Sequence, residues 1–456
     1  MTIESSRRDF LIAMGAMGGL TLGATRLHSF PLAQSNTQSA ASLKSPVKAV
    51  VIGHGSRGGL YSRFSRQLAD QWKIVGVAEP IEYRRGTAVK EYEIPASQTF
   101  TTWEHVFSKP KFADVCIIST PDDLHYGPAM AALNAGYDLL LEKPIAMTWQ
   151  DCKSILDLAT RKQAIVCVCH VLRYAPYFVE LKRVIQDGYI GDLVSIQHLE
   201  PIHHIHMSHS YVRGIWRNTK TSLPIILAKS CHDLDLLRWY VDKPYASVSC
   251  LGDRSVFRPE QAPEGAPQYC MDGCPAEKNC PYFAPDVYVH KKKWGSGAII
   301  TPDRSESGIL EALRKGQYGK CVYRNDNNQP DHVTANFGFK DGVTATFSME
   351  AMTSYAGRKT RVMGTKGDVV GDEDTLRVTN FWSGQVRDWD VRQASSDLSG
   401  HGGGDIRMVR DFALAVAKRD PSLLSTNLQE SMESHLAGFM AEESRLNKGV
   451  LREIKL

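Results

Sequence analysis

No dense run of lysine and arginine interleaved with aromatics occurs anywhere in the 456 residues, so nucleic acid is not an expected partner. Charge of one sign is scarce. The net charge is +4, and Arg7, Arg8, Arg26 and Lys44 against Glu4 and Asp9 supply +2 of it before Pro46. Long apolar runs are missing too: the best, residues 11–27, is too short and too rich in glycine for a stable membrane span. No internal repeat appears, which argues against a solenoid. What remains is an ordinary globular balance, 43% hydrophobic and 23% charged, with chain enough for two or three domains and a large core.

The N-terminus reads as a targeting segment that lies outside the fold. Ser6-Arg7-Arg8-Asp9-Phe10-Leu11 resembles the twin-arginine export signature, and a moderately apolar stretch follows it. Residues 28–45 are rich in Ser, Gln and Ala and read as a linker containing the cleavage site, after Ala33 or Ala41. The resemblance implies the twin-arginine machinery as a partner and a periplasmic or other extracytoplasmic location. It also implies export in the folded state, beyond any cytoplasmic pool of nicotinamide cofactor.

The domain proper opens on Val50-Val51-Ile52-Gly53-His54-Gly55-Ser56-Arg57-Gly58, an apolar run ending in Gly-x-Gly-x-x-Gly. Residues 60–72 then read as a helix and residues 74–78 as a strand ending in Glu79, 21 residues after Gly58. A dinucleotide site needs this order. Gly53 permits the tight turn, Gly55 lets backbone approach a pyrophosphate, and Gly58 lets helix and strand pack closely, with Ser56 and Arg57 at the helix start. The Glu79 carboxylate suits a ribose hydroxyl and repels a 2′-phosphate, which favours NAD. Arg84 and Arg85 leave NADP as the alternative.

Strands and helices go on alternating through residues 113–119, 137–141 and 165–169, the pattern of a doubly wound parallel sheet. Ligands bind at the carboxyl ends of such strands, and Lys143 sits at one. Together Gly53-x-Gly55-x-x-Gly58, Ser119-Thr120-Pro121 with His125, and Glu142-Lys143-Pro144 resemble the Gfo/Idh/MocA family. That family is named for glucose–fructose oxidoreductase, inositol dehydrogenase and a rhizopine-catabolism enzyme. The resemblance covers the chain after residue 46. It implies a Rossmann domain over residues 46–172, then an α/β domain over 173–456 with a large, open, mostly antiparallel sheet. It also implies NAD or NADP as cofactor, a sugar or polyol substrate, a homo-oligomer, cofactor contacts from Thr120, Pro121, His125 and Glu142, and Lys143 beside nicotinamide and substrate.

The second half carries the remaining candidates. In Ala228-Lys229-Ser230-Cys231-His232 the family has an aspartate where this chain has Ala228. His232 is the leading acid/base, Lys143 its partner, and Lys229, three residues before His232, a third member. Two ammonium groups in one site, with burial, favour a neutral amine able to act as base. Asp235, one turn on, is placed to orient His232. The histidine-dense loop at 203–209 reads as substrate-facing rather than metal-binding, and His209, Arg213, Trp216 and Arg217 offer an aromatic face and guanidinium groups to a sugar ring. His401-Gly402-Gly403-Gly404-Asp405 reads either as pocket lining or as a plain linker.

Cys116, Cys152, Cys167 and Cys169 fall in strands or helices and read as small core residues. Cys270, Cys274 and Cys280 lie in a Pro/Gly-rich loop within an insertion at about 252–320. With Cys321 they suggest a structural zinc, a disulfide or free thiols; the spacing is not a clean paired Cys-x-x-Cys.

Three functions compete at this level. The first is an NAD(P)-dependent oxidoreductase acting on a sugar or polyol hydroxyl with tightly held cofactor. The second is a redox-neutral glycoside hydrolase that oxidises, eliminates and reduces on one NAD. The third is a sugar-binding protein without turnover.

Overall fold

The computed structural model describes residues 43–295 and 299–455; the arginine pair and its apolar stretch lie outside the described residues. Strand β1 (Val47–Ile52), helix α1 (Ser56–Gln67), β2 (Trp72–Ala78) and α2 (Glu82–Tyr92) follow in order. Then come β3 (Thr99–Phe100), β4 (Val115–Ile118), α3 (Tyr126–Asn134), β5 (Asp138–Leu141), α4 (Trp149–Lys162) and β6 (Val166–Val168). The six strands form one sheet in the order β3-β2-β1-β4-β5-β6, and every pairing is parallel.

Burial on both faces explains why the centres of these runs are apolar. Val51, Ile117 and Leu140 face one core, whereas Val50, Ile52, Cys116, Ile118, Leu139 and Leu141 face the other. Polar residues keep to the strand starts, where Lys48 and Lys73 are exposed and buried Asp138 is held by Ile165 N and Arg419. Local signals set the ends. The Thr148 side chain caps α4 by accepting from Asp151 N at 3.1 Å, and Arg161 and Lys162 lie in its last turn, where cations meet the negative end of the helix dipole.

Helix α5 (Pro176–Gln186) leads into the second sheet, built from β7 (Leu193–Pro201), α6 (Cys231–Val241), β8 (Tyr245–Asp253), α7 (Glu306–Lys315), β9 (His332–Phe339) and β10 (Thr344–Glu350). It continues with β11 (Lys359–Gly364), β12 (Gly367–Gly371), β13 (Thr375–Asn380), β14 (Gln385–Asp390), α8 (Ser399–Lys418), α9 (Leu428–Leu446) and β15 (Arg452–Glu453). The nine strands run β14-β13-β12-β11-β7-β10-β9-β8-β15, antiparallel except for β7 with β10. On β9, Val333, Ala335, Phe337 and Phe339 are buried while Thr334 and Asn336 are exposed, the alternation of a sheet with one open polar face. The hairpin between β9 and β10 turns on Asp341 and Gly342, at φ +74° and +87°.

Helix α9 ties the two halves together. Leu428 and Met432 sit in the second core of the parallel sheet, and an added Cβ on Gly438 would lie 2.4 Å from Leu227. His435 accepts from Ile145 N at 3.1 Å, directly behind the Glu142-Lys143-Pro144 turn. No helix among the described residues is long and apolar enough to cross a membrane.

Candidate active site

The glycine turn is closed by sterics. Gly53 has φ +88°, and a Cβ there would stand 2.7 Å from the Ser119 carbonyl oxygen. A Cβ on Gly58 would meet Gly53 O at 2.1 Å and Ser119 Oγ at 2.7 Å, so helix, turn and β4 end can approach only without side chains. Gly55 is different: the nearest atom to its added Cβ is Arg84 Nη1 at 3.8 Å. Backbone at Gly55 and exposed Ser56 is therefore open at the N-terminus of a twelve-residue helix, the donor arrangement that fits a pyrophosphate.

Glu79, 3% exposed, braces this turn by accepting from His54 N at 2.8 Å and Ile81 N at 2.9 Å. Each oxygen keeps a lone pair for a ribose hydroxyl. Arg85 is spent on the Glu79 and Pro80 carbonyls, at 2.7 and 3.1 Å. Arg84 stands over the turn.

Arg57 does not reach out to a phosphate. Its Nε donates to Glu142 Oε1 at 2.6 Å and its Nη2 to Asp405 Oδ1 at 2.7 Å, while Tyr61 Oη donates to the same Glu142 oxygen. Glu142 also accepts from Lys143 N at 3.1 Å. Burial alone would raise the Glu142 carboxyl, but Arg57 and Lys143 hold it below the ordinary range. His125 is likewise internal: its ring nitrogens lie 2.7 Å from Pro144 O and 3.0 Å from Thr120 O, stapling the Thr120-Pro121 turn to the Lys143-Pro144 turn.

Lys143 Nζ donates to Ala228 O at 2.8 Å. The backbone carbonyl of residue 228 thus orients the ammonium where a side-chain carboxylate was absent from the sequence. His232 lies beside it, 6% exposed, with Nδ1 buried and unpartnered. Burial, then Lys143, hold its imidazole well below the ordinary range, so it is neutral and able to accept a proton.

Two expectations around this pair fail. Lys229 Nζ stands 3.1 Å from Glu200 Oε1 and is its ion-pair partner, not a second free amine beside Lys143. Asp235 does not orient His232, because Arg173 takes both its oxygens at 2.6 and 2.7 Å.

The proposed sugar platform is also redistributed. His209 is 4% exposed, stacked on Trp294 and Tyr318 with ring centroids 4.6 and 5.0 Å away, and its Nδ1 is 3.0 Å from Tyr288 Oη. It anchors the insertion instead of facing a substrate. Arg213 is fully buried, donating to Lys320 O, Tyr282 O and Cys270 Sγ. Arg217 pairs with Asp326 at 2.8 Å. Trp216 alone touches the nucleotide domain, donating through Nε1 to Asp122 Oδ1 at 3.2 Å.

Cys270, Cys274, Cys280 and Cys321 line one small cavity beside Arg213, and all ten cysteines are unpaired. Among the described residues no three His, Cys, Asp or Glu side chains come together as a metal-ligand set, so the zinc expectation lacks its geometry.

Further groups surround His232, two of them from the 401–405 loop read above as pocket lining or a plain linker. His401, at φ +40°, puts its ring 5.9 Å from that of His232, and its Nδ1 is 2.9 Å from Asp405 Oδ2. His170 lies on the other side of His232 at 5.8 Å, followed by His435 at 5.5 Å. Beneath them Arg358 donates to Asp233 and Glu200 at 2.5 and 2.9 Å, and His198 Nε2 is 2.9 Å from Asp233. The Gly-Gly-Gly of residues 402–404 was the one available signal for His401 and Asp405. Glu200, His198 and Arg358 carry no local pattern and meet only through sheet pairing.

Comparison with known proteins agrees with the two-part fold. Residues 47–170 match the family model described as "Oxidoreductase family, NAD-binding Rossmann fold", and residues 182–435 match "Oxidoreductase family, C-terminal alpha/beta domain". The protein named YteT of Bacillus subtilis is 25% identical over 331 residues, 69% of this chain and 74% of that protein. Inositol 2-dehydrogenase of Salmonella typhimurium is 27% identical over 217 residues, 47% of this chain and 59% of that enzyme's length. Among solved structures, levoglucosan dehydrogenase in complex with NADH and levoglucosan superposes with a TM-score of 0.66 at 17% identity, covering 90% of this chain and 100% of that one.

Proposed function

We propose, because this chain belongs to the Gfo/Idh/MocA family of NAD-binding oxidoreductases, that it oxidises or reduces a carbohydrate or polyol at one carbinol carbon. The observation that carries this reading is the Lys143 ammonium fixed on Ala228 O beside the neutral His232 imidazole, in a fold that leaves the backbone open at Gly55. NAD, when bound, supplies the two-electron acceptor. The chain's own part is to hold it on the glycine turn, aim Lys143 at the reacting hydroxyl and receive that hydroxyl's proton at His232. The substrate names of the relatives, inositol and levoglucosan, support a ring bearing several hydroxyls.

NAD is preferred over NADP because Glu79 lines the turn, although Arg84 beside Gly55 offers a partner for a 2′-phosphate. Comparing the two cofactors by calorimetry checks this. The twin-arginine pattern at Arg7-Arg8 supports export of the folded protein with its cofactor held, and fractionation of an Arg7→Lys, Arg8→Lys variant tests it. The open polar face of the nine-stranded sheet supports a homo-oligomer, which light scattering checks.

Free polyols and aryl glycosides, each mixed with cofactor-loaded protein, separate the two catalytic readings. Persistent NADH absorbance with a polyol supports the oxidoreductase; release of the aryl group without net reduction supports the hydrolase. An active-site Glu142-Lys143-Pro144 turn favours the first.

A further inference from the structure

The carboxylates around His232 are all committed elsewhere. Asp233 serves His198 and Arg358, Asp235 serves Arg173, and Glu200 serves Lys229 and Arg358. His232 is buried, and its inner neighbours give no way out: His170 has both ring nitrogens buried without a partner, and His435 is used by Ile145 N and Ser431 O. A proton taken up at His232 therefore needs another route to solvent. His401 is the half-exposed member of the histidine row, with 42% of its side chain accessible.

What stands behind His401 is built to hold it. Asp405 is 2% exposed; burial would raise its carboxyl, but His401 and Arg57 keep it below the ordinary range, so it is ionised. An ionised carboxylate only accepts, so the nitrogen 2.9 Å away, His401 Nδ1, carries a proton, and Nε2 is the nitrogen left to exchange one. Arg57 takes the other Asp405 oxygen and fixes its rotation. The glycines press this loop onto the protein: a Cβ on Gly403 would meet Asp397 O at 2.4 Å, and one on Gly404 would meet Val171 O at 2.3 Å. The segment is a packed wedge, not a tether.

We propose that His401, supported by Asp405 and Arg57, is the relay residue that exchanges the proton of His232 with solvent during turnover, an inference that rests on the oxidoreductase reading. In the oxidation direction the substrate O–H bond breaks and its proton goes to His232. A carbonyl forms at the carbinol carbon, whose C–H electron pair and hydrogen go to the nicotinamide. His232 then passes a proton to His401 Nε2 through one bridging water, the ring centroids being 5.9 Å apart, and the imidazolium, its Nδ1–H held by Asp405, releases a proton from Nε2 to solvent. Reduction runs the same steps backwards. The Arg57 link means that the relay and the Glu142-Lys143 turn share one anchor on the first turn of α1.

The test uses the full-length protein with ring-¹⁵N histidine and, as a variant, His401→Asn, since asparagine tolerates the positive φ. In the neutral form of the ring the His401 signals are expected to show Nδ1–H and an unprotonated Nε2, and Asp405→Asn is expected to abolish that preference. His401→Asn is expected to lower kcat about 10²-fold with KM little changed, and added imidazole to restore much of the loss. An Nε2–H tautomer, or His401→Asn turning over at the wild-type rate, overturns the relay. Wild-type protein that reduces nicotinamide with no polyol counts against the oxidoreductase reading instead, and the relay falls with it; an active wild type beside an equally active His401→Asn counts against the relay alone.

Discussion

In the proposed oxidoreductase Lys143 is the residue on which the chemistry turns, because its ammonium is held on a backbone carbonyl instead of a carboxylate and so keeps donors for a substrate. Lys143→Met is expected to lower kcat with a polyol by about 10²–10⁴-fold while calorimetry shows NAD still binding. The imidazole of His232 makes a second prediction. Its proton affinity is depressed by burial and Lys143, so the neutral, proton-accepting form persists as pH falls past the ordinary histidine value. The acid limb of the oxidation rate is therefore expected below about pH 6.5, the usual histidine value, and to change in His232→Gln. A His232-dependent limb at or above that pH contradicts the assignment. At this scale the sequence was informative only where chemistry and spacing coincide. Gly53 and Gly58 make the close approaches that motif reasoning gives them, Glu79 directly follows β2, and Lys143 and His232 lie side by side, while the roles of the last three are proposals. Arg213 and His209 misled because a guanidinium and an imidazole near a loop look the same from sequence whether they face a substrate or bury themselves against an insertion.

The elements were easier to read than the contacts between them. Apolar runs located β4 and β5 to within two residues and the second half of β1, and the Asp341-Gly342 turn located the β9–β10 hairpin. The Gly402–Gly404 run misled in the other direction: glycine signals freedom in a sequence, but here it allows close packing on Val171. Substitution tests the same logic at the other glycine turn. Gly58→Ala must push Gly53 O or Ser119 Oγ aside, so it is expected to lower thermal stability by about 1–3 kcal/mol and to weaken NAD binding at least tenfold. Thermal melts with and without NAD measure both. A variant that melts and binds like wild type shows that the turn does not need the close approach described above.

Across the whole molecule, burial of histidines links stability to pH. Desolvation holds His435 and His206 down to about 3 and His209 to about 4, so all three stay neutral in the fold. In the unfolded chain they take up protons below about pH 6.5. The unfolded state then binds more protons, and stability falls as pH drops from about 6.5 towards 4, by up to ~4 kcal/mol per pH unit for the three together. Urea unfolding between those limits is expected to show this decline, and a flat profile contradicts the burial of these three histidines. The row that lines Lys143 draws on both halves, His170 after β6, His232 on α6 and His435 on α9, and only chain topology brings these three together. The account as a whole comes down to one measurement, nicotinamide absorbance after mixing NAD-loaded protein with myo-inositol and related polyols. It predicts that the NADH band rises in wild type and fails to rise in Lys143→Met; no rise in wild type with any polyol or sugar, or an equal rise in both proteins, contradicts it.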